Sequence, residues 1–356
     1  MRIKRAFPIL LGVLLIAAAV AVVVVLRKHA PPEPARLLPS ADGFVYVNLK
    51  WIRHTSVAAQ LPPVSHEPEY EQFIQETGFQ FEQDLDQAAL AIHYPASLPA
   101  TPSGAPQETR FSSVFVGKID GQRLRKYLGK LSHSVESYRE TNIFNIPLEG
   151  RTLRVAILSV DMVAASNHPD PAVIRGMIDR SRKLASPFGG PALLRQYYKF
   201  VPVDLPFTRL GWAVLKVGPE QPTALPGPIE LPFLFRKPAV LVASARYSVL
   251  GGVHVKAEAF TASEEDAQQL ADQLNTFLGV LHSAELEGNP NTDADMKRFF
   301  DSLEVKQQTD RTTLSAAASP EFLRKLVSGP PDKAAPAPMV QPSAPPAPPK
   351  RKQKVK

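Results

Sequence analysis

Val253-His254-Val255-Lys256-Ala257-Glu258-Ala259-Phe260 alternates side-chain character at every step, the period of two that a strand with one buried face requires. Three residues later the period changes. Ala267, Leu270, Ala271, Leu274, Phe277, Leu278 and Leu281 recur at spacings of three and four, which puts them on one face of a helix. The change falls at Ser263-Glu264-Glu265-Asp266, close to a capping box, with Asp where Glu or Gln is usual. A strand followed by an amphipathic helix makes this an α+β chain.

The same elements can be followed in both directions. Phe44–Leu49, Ala89–Tyr94 and Ser113–Ile119 read as strands, and Asp120 caps a helix carrying Leu124, Tyr127, Leu128 and Leu131. Strands follow around 143–147, 153–160 and 162–166. Asp170-Pro171 then opens a helix whose apolar face is Val173, Ile174, Met177 and Ile178. Nearer the C-terminus, 212–217 and 240–248 read as strands, 296–303 as a short helix, and 305–316 as a hairpin turning near Asp310. Ser319-Pro320-Glu321 starts a last helix.

Two matches tie the halves together. Tyr127-Leu128-Gly129-Lys130-Leu131 returns as Phe277-Leu278-Gly279-Val280-Leu281, and Asp170-Pro171-Ala172-Val173-Ile174 returns as Ser319-Pro320-Glu321-Phe322-Leu323. Tyr94 aligns with Tyr247. Nearly equal offsets with the element order kept predict two duplicated, tandem sheet-plus-helix domains.

Residues 6–26 form an uncharged run, Ala6-Phe7-Pro8 through Val25-Leu26, long enough as a helix for a bilayer's hydrocarbon core. The run exceeds the apolar region of a cleaved signal peptide, so an uncleaved transmembrane anchor is expected; Ala19-Val20-Ala21 keeps cleavage open. Arg2, Lys4 and Arg5 precede the run and Arg27 and Lys28 follow it. This asymmetry predicts a cytoplasmic N-terminus and an exported body, and the absence of any Asn-x-Ser/Thr acceptor fits a bacterial inner membrane with a periplasmic body.

The formal charge of +7 is unevenly placed. Residues 1–29 hold five Lys/Arg and no acid, and residues 330–356 hold six Lys/Arg and one Asp. The body between carries more acid than base, which argues against a nucleic-acid-binding surface. No cysteine is present, which excludes disulfides, thiolate metal sites and cysteine nucleophiles. The 36 prolines mark the boundaries. The expected layout is a stub and anchor (1–29), a Pro-rich stalk (30–43) and a first α+β domain (44–186). A Pro-rich connector follows (187–238, with a strand near 212–217 that packs with the second domain), then that second domain (239–329) and a disordered Pro/Ala/Lys tail (330–356).

The opening Leu37-Leu38-Pro39-Ser40-Ala41-Asp42-Gly43-Phe44-Val45-Tyr46, the acidic helix start at Ser263, and Phe300-Asp301-Ser302-Leu303-Glu304-Val305 before a polar hairpin occur together. This rhythm resembles a group of uncharacterised bacterial membrane-anchored or exported proteins, classed as domains of unknown function. The resemblance covers most of 37–327 and implies an exported α+β protein with repeated units and no assigned catalytic residue. Asp310-Arg311 stands at the hairpin tip where a glycine is expected.

Motifs that would name a reaction are absent. There is no GxxxxGK[ST], GxGxxG or GxSxG sequence, and the eight histidines show neither His-x-His nor His-x-x-x-His spacing. Asp84-x-Asp86 and Asp293-x-Asp295 could suggest calcium or a carboxylate pair, but Asp293-x-Asp295 lies directly before an apolar helix and lacks an EF-hand's glycine and distal Glu, so capping is the better account. No catalytic, cofactor-binding or metal-binding residue is assigned, and no cofactor is expected. The expected role is binding or scaffolding without catalysis. The partners expected are the bilayer through 6–26 and an envelope protein or anionic polymer through the domains or the basic tail, with no nucleic acid. The alternative is an envelope hydrolase whose site assembles from His93, His168 or His254 with distant serines and acids.

Overall fold

The computed structural model describes residues 31–54, 66–95, 98, 108–148, 150–182, 190–202, 209–217, 239–248, 252–288 and 294–328. The expected anchor at 6–26 and the basic tail at 330–356 lie outside them. No helix among the described residues is long and apolar enough to cross a membrane.

The described residues form a mixed α/β structure built on one antiparallel sheet of twelve strands. The strands are β1 (Gly43–Asn48), β2 (Leu85–His93), β3 (Arg110–Gly117), β4 (Ser134–Tyr138), β5 (Thr141–Leu148), β6 (Arg151–Ile157), β7 (Met162–Ser166), β8 (Arg209–Val217), β9 (Ala239–Tyr247), β10 (Val253–Phe260), β11 (Glu304–Gln308) and β12 (Arg311–Ala318). Their order across the sheet is β11-β12-β10-β9-β8-β1-β2-β3-β7-β6-β5-β4.

That order has a centre. β1 and β8 lie side by side with Val45 opposite Ala213. Outward from β8 the sheet runs β9, β10, β12, β11, and outward from β1 it runs β2, β3, β7, β6, with β5 and β4 beyond. The two regions expected as tandem domains therefore share a single sheet, joined through hydrogen bonds between β1 and β8. The strand expected near 212–217 is β8, and it pairs with β9 as well as with β1.

The helices follow the same order. Helix α5 (Gly121–Leu131) follows β3 and α8 (Glu264–Gly288) follows β10; α6 (Ala172–Ser181) follows β7 and α10 (Pro320–Ser328) follows β12. Each starts at the residue its sequence marks. Asp120 accepts from the N–H groups of Gln122 and Arg123, both at 3.0 Å, and Asp170 from Ala172 at 2.8 Å. Ser263 accepts from Asp266 and Ser319 from Phe322, each at 3.1 Å.

The main core lies on one face of the sheet. Phe44, Tyr46, Ala89, Ala91, Val114, Ala164, Trp212 and Val214 meet Ile174, Met177 and Ile178 of α6 there. Each of the larger aliphatic side chains and Phe44 adds roughly 1.5–3 kcal/mol when fully buried. On the other face α5 covers Phe144, Val155 and Val163 with Leu128, and α8 covers Ala259 with Leu270. Both edge hairpins turn through left-handed residues that are not glycine: Arg139 and Glu140 between β4 and β5, and Thr309 before β12. The left-handed residue is Thr309, one position before the Asp310-Arg311 tip at which the sequence suggested glycine.

Two proline-rich segments depart from expectation. Helix α1 (Glu33–Leu37) falls within the expected stalk, yet Ala35, Leu37 and Leu38 belong to the main core. Helix α7 (Ala192–Tyr197) and the 3-10 turn Tyr198–Phe200 fall within the expected connector, and Leu193, Leu194, Tyr198 and Val201 are buried in the same core. Proline opens each short helix, where its missing N–H costs nothing, so these prolines start structure instead of preventing it. Three further helices, α2 (Leu49–His54), α3 (Pro68–Thr77) and α4 (Phe81–Asp84), connect β1 to β2, and α9 (Ala294–Asp301) lies between α8 and β11.

Candidate functional site

The main-core face of the sheet carries polar side chains at one end. Across β2, β3, β7 and β6, the register places His93 opposite Arg110, Ser112 opposite Ser166, and Ser166 opposite Arg154. Alternation sends all five toward the main core with Ala91 and Val114. After Ser166 the strand stops, and Asn167-His168-Pro169 carries the chain over these side chains toward α6.

Two of the three histidines singled out from the sequence meet here. The rings of His93 and His168 pack edge to face with centroids 4.9 Å apart. His254 does not join them: β10 lies four strands from β2, about 19 Å at the usual strand spacing.

A chain of hydrogen bonds links the cluster. The His168 N–H donates to Ser166 Oγ at 3.2 Å, the two serine hydroxyls are 2.9 Å apart, and Ser112 Oγ lies 3.0 Å from His93 Nε2. One direction satisfies every member: Ser166 donates to Ser112, and Ser112 donates to a neutral His93. Burial favours that state, pushing His93 down to about 4; the nearby His168 adds to the effect and Asp42 opposes it. Burial also lowers His168, against the pull of Asp170.

The arrangement has a serine on a histidine nitrogen, but among the described residues no carboxylate bonds the other nitrogen of that ring. Asp42 accepts from the Tyr94 N–H at 3.1 Å and pairs with Lys216 at 3.0 Å, while the His93 ring makes its hydrogen bond to Ser112 alone among the described residues. Ser112 is 0% exposed, Ser166 2% and His93 4%. A substrate carbonyl has no approach to a hydroxyl enclosed on every side. Arg154 holds the covering loop by donating to the carbonyls of His168 at 2.7 Å and Pro169 at 3.4 Å.

No protein-family model matches the chain, and no curated protein matches it. Two solved structures are similar. Crystal form III of TP0453 has a TM-score of 0.45 at 10% identity, covering 84% of this chain and 98% of that one. Crystal form IV of TP0453 has a TM-score of 0.42 at 10% identity, covering 85% and 99%.

Among the described residues the remaining histidines and acids are dispersed. His66 contacts Glu71 and Glu82 at 2.6 and 2.9 Å through its two ring nitrogens, and these carboxylates hold it above its ordinary value. Asp84 accepts from the Gln80 N–H, Asp86 pairs with Arg53, and Asp295 pairs with Lys325; Asp293 lies outside the described residues. Among the described residues no group of three or more His, Cys, Asp or Glu could hold a metal ion. Sequence reasoning missed Ser112, Ser166, Arg110 and Arg154. Their signal was polar residues at core positions of otherwise apolar strands, as in Ser112-x-Val114 and Ala164-x-Ser166.

Proposed function

We propose that this chain is a non-catalytic, single-pass envelope protein whose duplicated halves form one scaffold for binding. Its anchor is 6–26, its N-terminus is cytoplasmic and its body is periplasmic. The duplication is supported by the outward strand order on both sides of β1 and β8 and by matching helices after β3 and β10 and after β7 and β12. Partners on this reading are the bilayer and an envelope protein or anionic polymer.

One observation carries the absence of catalysis. Ser112 is the only serine whose hydroxyl bonds a histidine ring among the described residues, and it is fully buried. The alternative, an envelope hydrolase, draws its support from the same 3.0 Å contact. Carbonate-washed membranes bearing the full chain, treated with a fluorophosphonate probe, separate the two. The expected result is a chain that stays with the membrane and is not labelled. Labelling abolished by Ser112→Ala would establish the hydrolase, and release by carbonate would refute the anchor.

A further inference from the structure

A cavity of about 440 Å³ opens where the β4–β5 turn, the end of β6, helix α5 and the residue after α6 converge. That volume lies in the range of small-molecule sites, roughly 300–1,000 Å³. Its apolar lining is Phe144, Ile157 and Leu158, Asn142 and Thr141 add an amide and a hydroxyl, and Glu140 adds one carboxylate at the rim. Two guanidinium groups from separate elements reach it, Arg125 on α5 and Arg182 just past α6.

The two arginines are differently prepared. Arg182 is held by one edge, its Nη2 donating to Thr141 Oγ1 at 2.9 Å. Its nearest carboxylate, Glu140, is 3.9 Å from Nη1 and has a 93% exposed side chain, so water screens the pair. Arg125 has neither a hydrogen bond nor an ion pair among the described residues. Left-handed backbone at Arg139 and Glu140 turns the chain sharply before Thr141, at the edge of the cavity.

Two guanidinium groups lining one cavity, one fixed and one unpaired, suit an oxyanion, since the planar fork binds carboxylate and phosphate in two-point fashion. We propose that this cavity binds a small molecule bearing a phosphomonoester or carboxylate group, whose short apolar substituent rests on Phe144, Ile157 and Leu158. The proposal rests on the binding role above and gives it a ligand class.

Titration calorimetry on the full chain tests it with butyl phosphate, butyrate and butylammonium as probes. Saturable binding of either anion, without binding of the cation, is expected. Arg125→Gln and Arg182→Gln should each weaken it about tenfold or more, the loss of a charge-assisted contact. No saturable anion binding, or unchanged affinity in Arg125→Gln, overturns the proposal. Arg182→Gln also removes the contact to Thr141; if that variant misfolds, Arg125→Gln decides, because it gives up no internal partner. An empty titration with unlabelled Ser112 would remove this ligand class alone, whereas fluorophosphonate labelling would refute the non-catalytic reading whatever the titration shows.

Discussion

His93 faces Arg110 across β2 and β3, and Arg246 faces His254 across β9 and β10. These are corresponding rungs of the two halves with the residue types exchanged, yet their surroundings differ. His93 is buried beneath His168, whereas Arg246 and His254 are exposed. The cause is where the covering strand ends. β7 stops at Ser166 and the chain folds back over the rung, while β12 stays paired to Ala318, opposite Val253. A few residues of strand length separate a buried polar cluster from an ordinary solvated surface. Burial, more than residue identity, sets the chemistry of the histidine.

The largest test of that contrast is acidification. His93 falls from an ordinary 6.5 to about 4 in the folded state, so between these values the unfolded chain binds more protons. Stability is therefore full above pH 6.5, falls as pH drops through the window, and reaches its floor near pH 4. The loss is up to about 3 kcal/mol for this group. Denaturant unfolding at pH 7, 5.5 and 4 measures it. His93→Gln, which keeps an acceptor for Ser112, should flatten the slope; a variant as acid-sensitive as the parent would show that His93 does not sense its cover.

A smaller effect probes the centre of the sheet. Gly43 and Gly211 sit symmetrically about the Val45–Ala213 rung. A Cβ at 211 would lie 2.7 Å from the carbonyl oxygen of Tyr46, and a Cβ at 43 would lie 2.7 Å from Leu215 Cδ2. Backbone cannot yield without disturbing the β1–β8 pairing, whereas a leucine methyl can rotate away. Gly211→Ala should cost about 2 kcal/mol and Gly43→Ala under about 1 kcal/mol, read by the same melts. Equal losses would mean that Leu215 is as rigid as the carbonyl.

Local periodicity made β10, α8, α5 and α6 readable, since alternation, a 3–4 stripe and a cap act within a few residues. The joining of β1 to β8 could not be read that way, because pairing partners 168 residues apart leave no local mark. The expected stalk failed for the same reason: nothing near Ala35 and Leu38 announces that α6 and β2 will bury them. β4 was missed because Ser134-Val135-Glu136-Ser137-Tyr138 is an edge strand with little apolar content to reveal it. His93 and His168 were singled out, but the serines between them depend on sheet register, which spacing along the chain does not encode.

The smallest effect asks whether corresponding helix starts are interchangeable. Asp170 caps α6 and Ser319 caps α10, each through one backbone N–H. Aspartate and serine rank alike as caps, so Ser319→Asp should change stability by less than about 0.5 kcal/mol, whereas alanine at 319 should cost about 1 kcal/mol. Asp170→Ser should lose slightly more than its counterpart gains or loses, because Asp170 also draws on Arg154 and His168 electrostatically. Thermal melts of the two exchanges and of the alanine variants resolve the difference. If Asp170→Ser were as damaging as deleting the cap, the carboxylate would be acting chiefly on the covering loop, and the two helix starts would be equivalent in position without being equivalent in role.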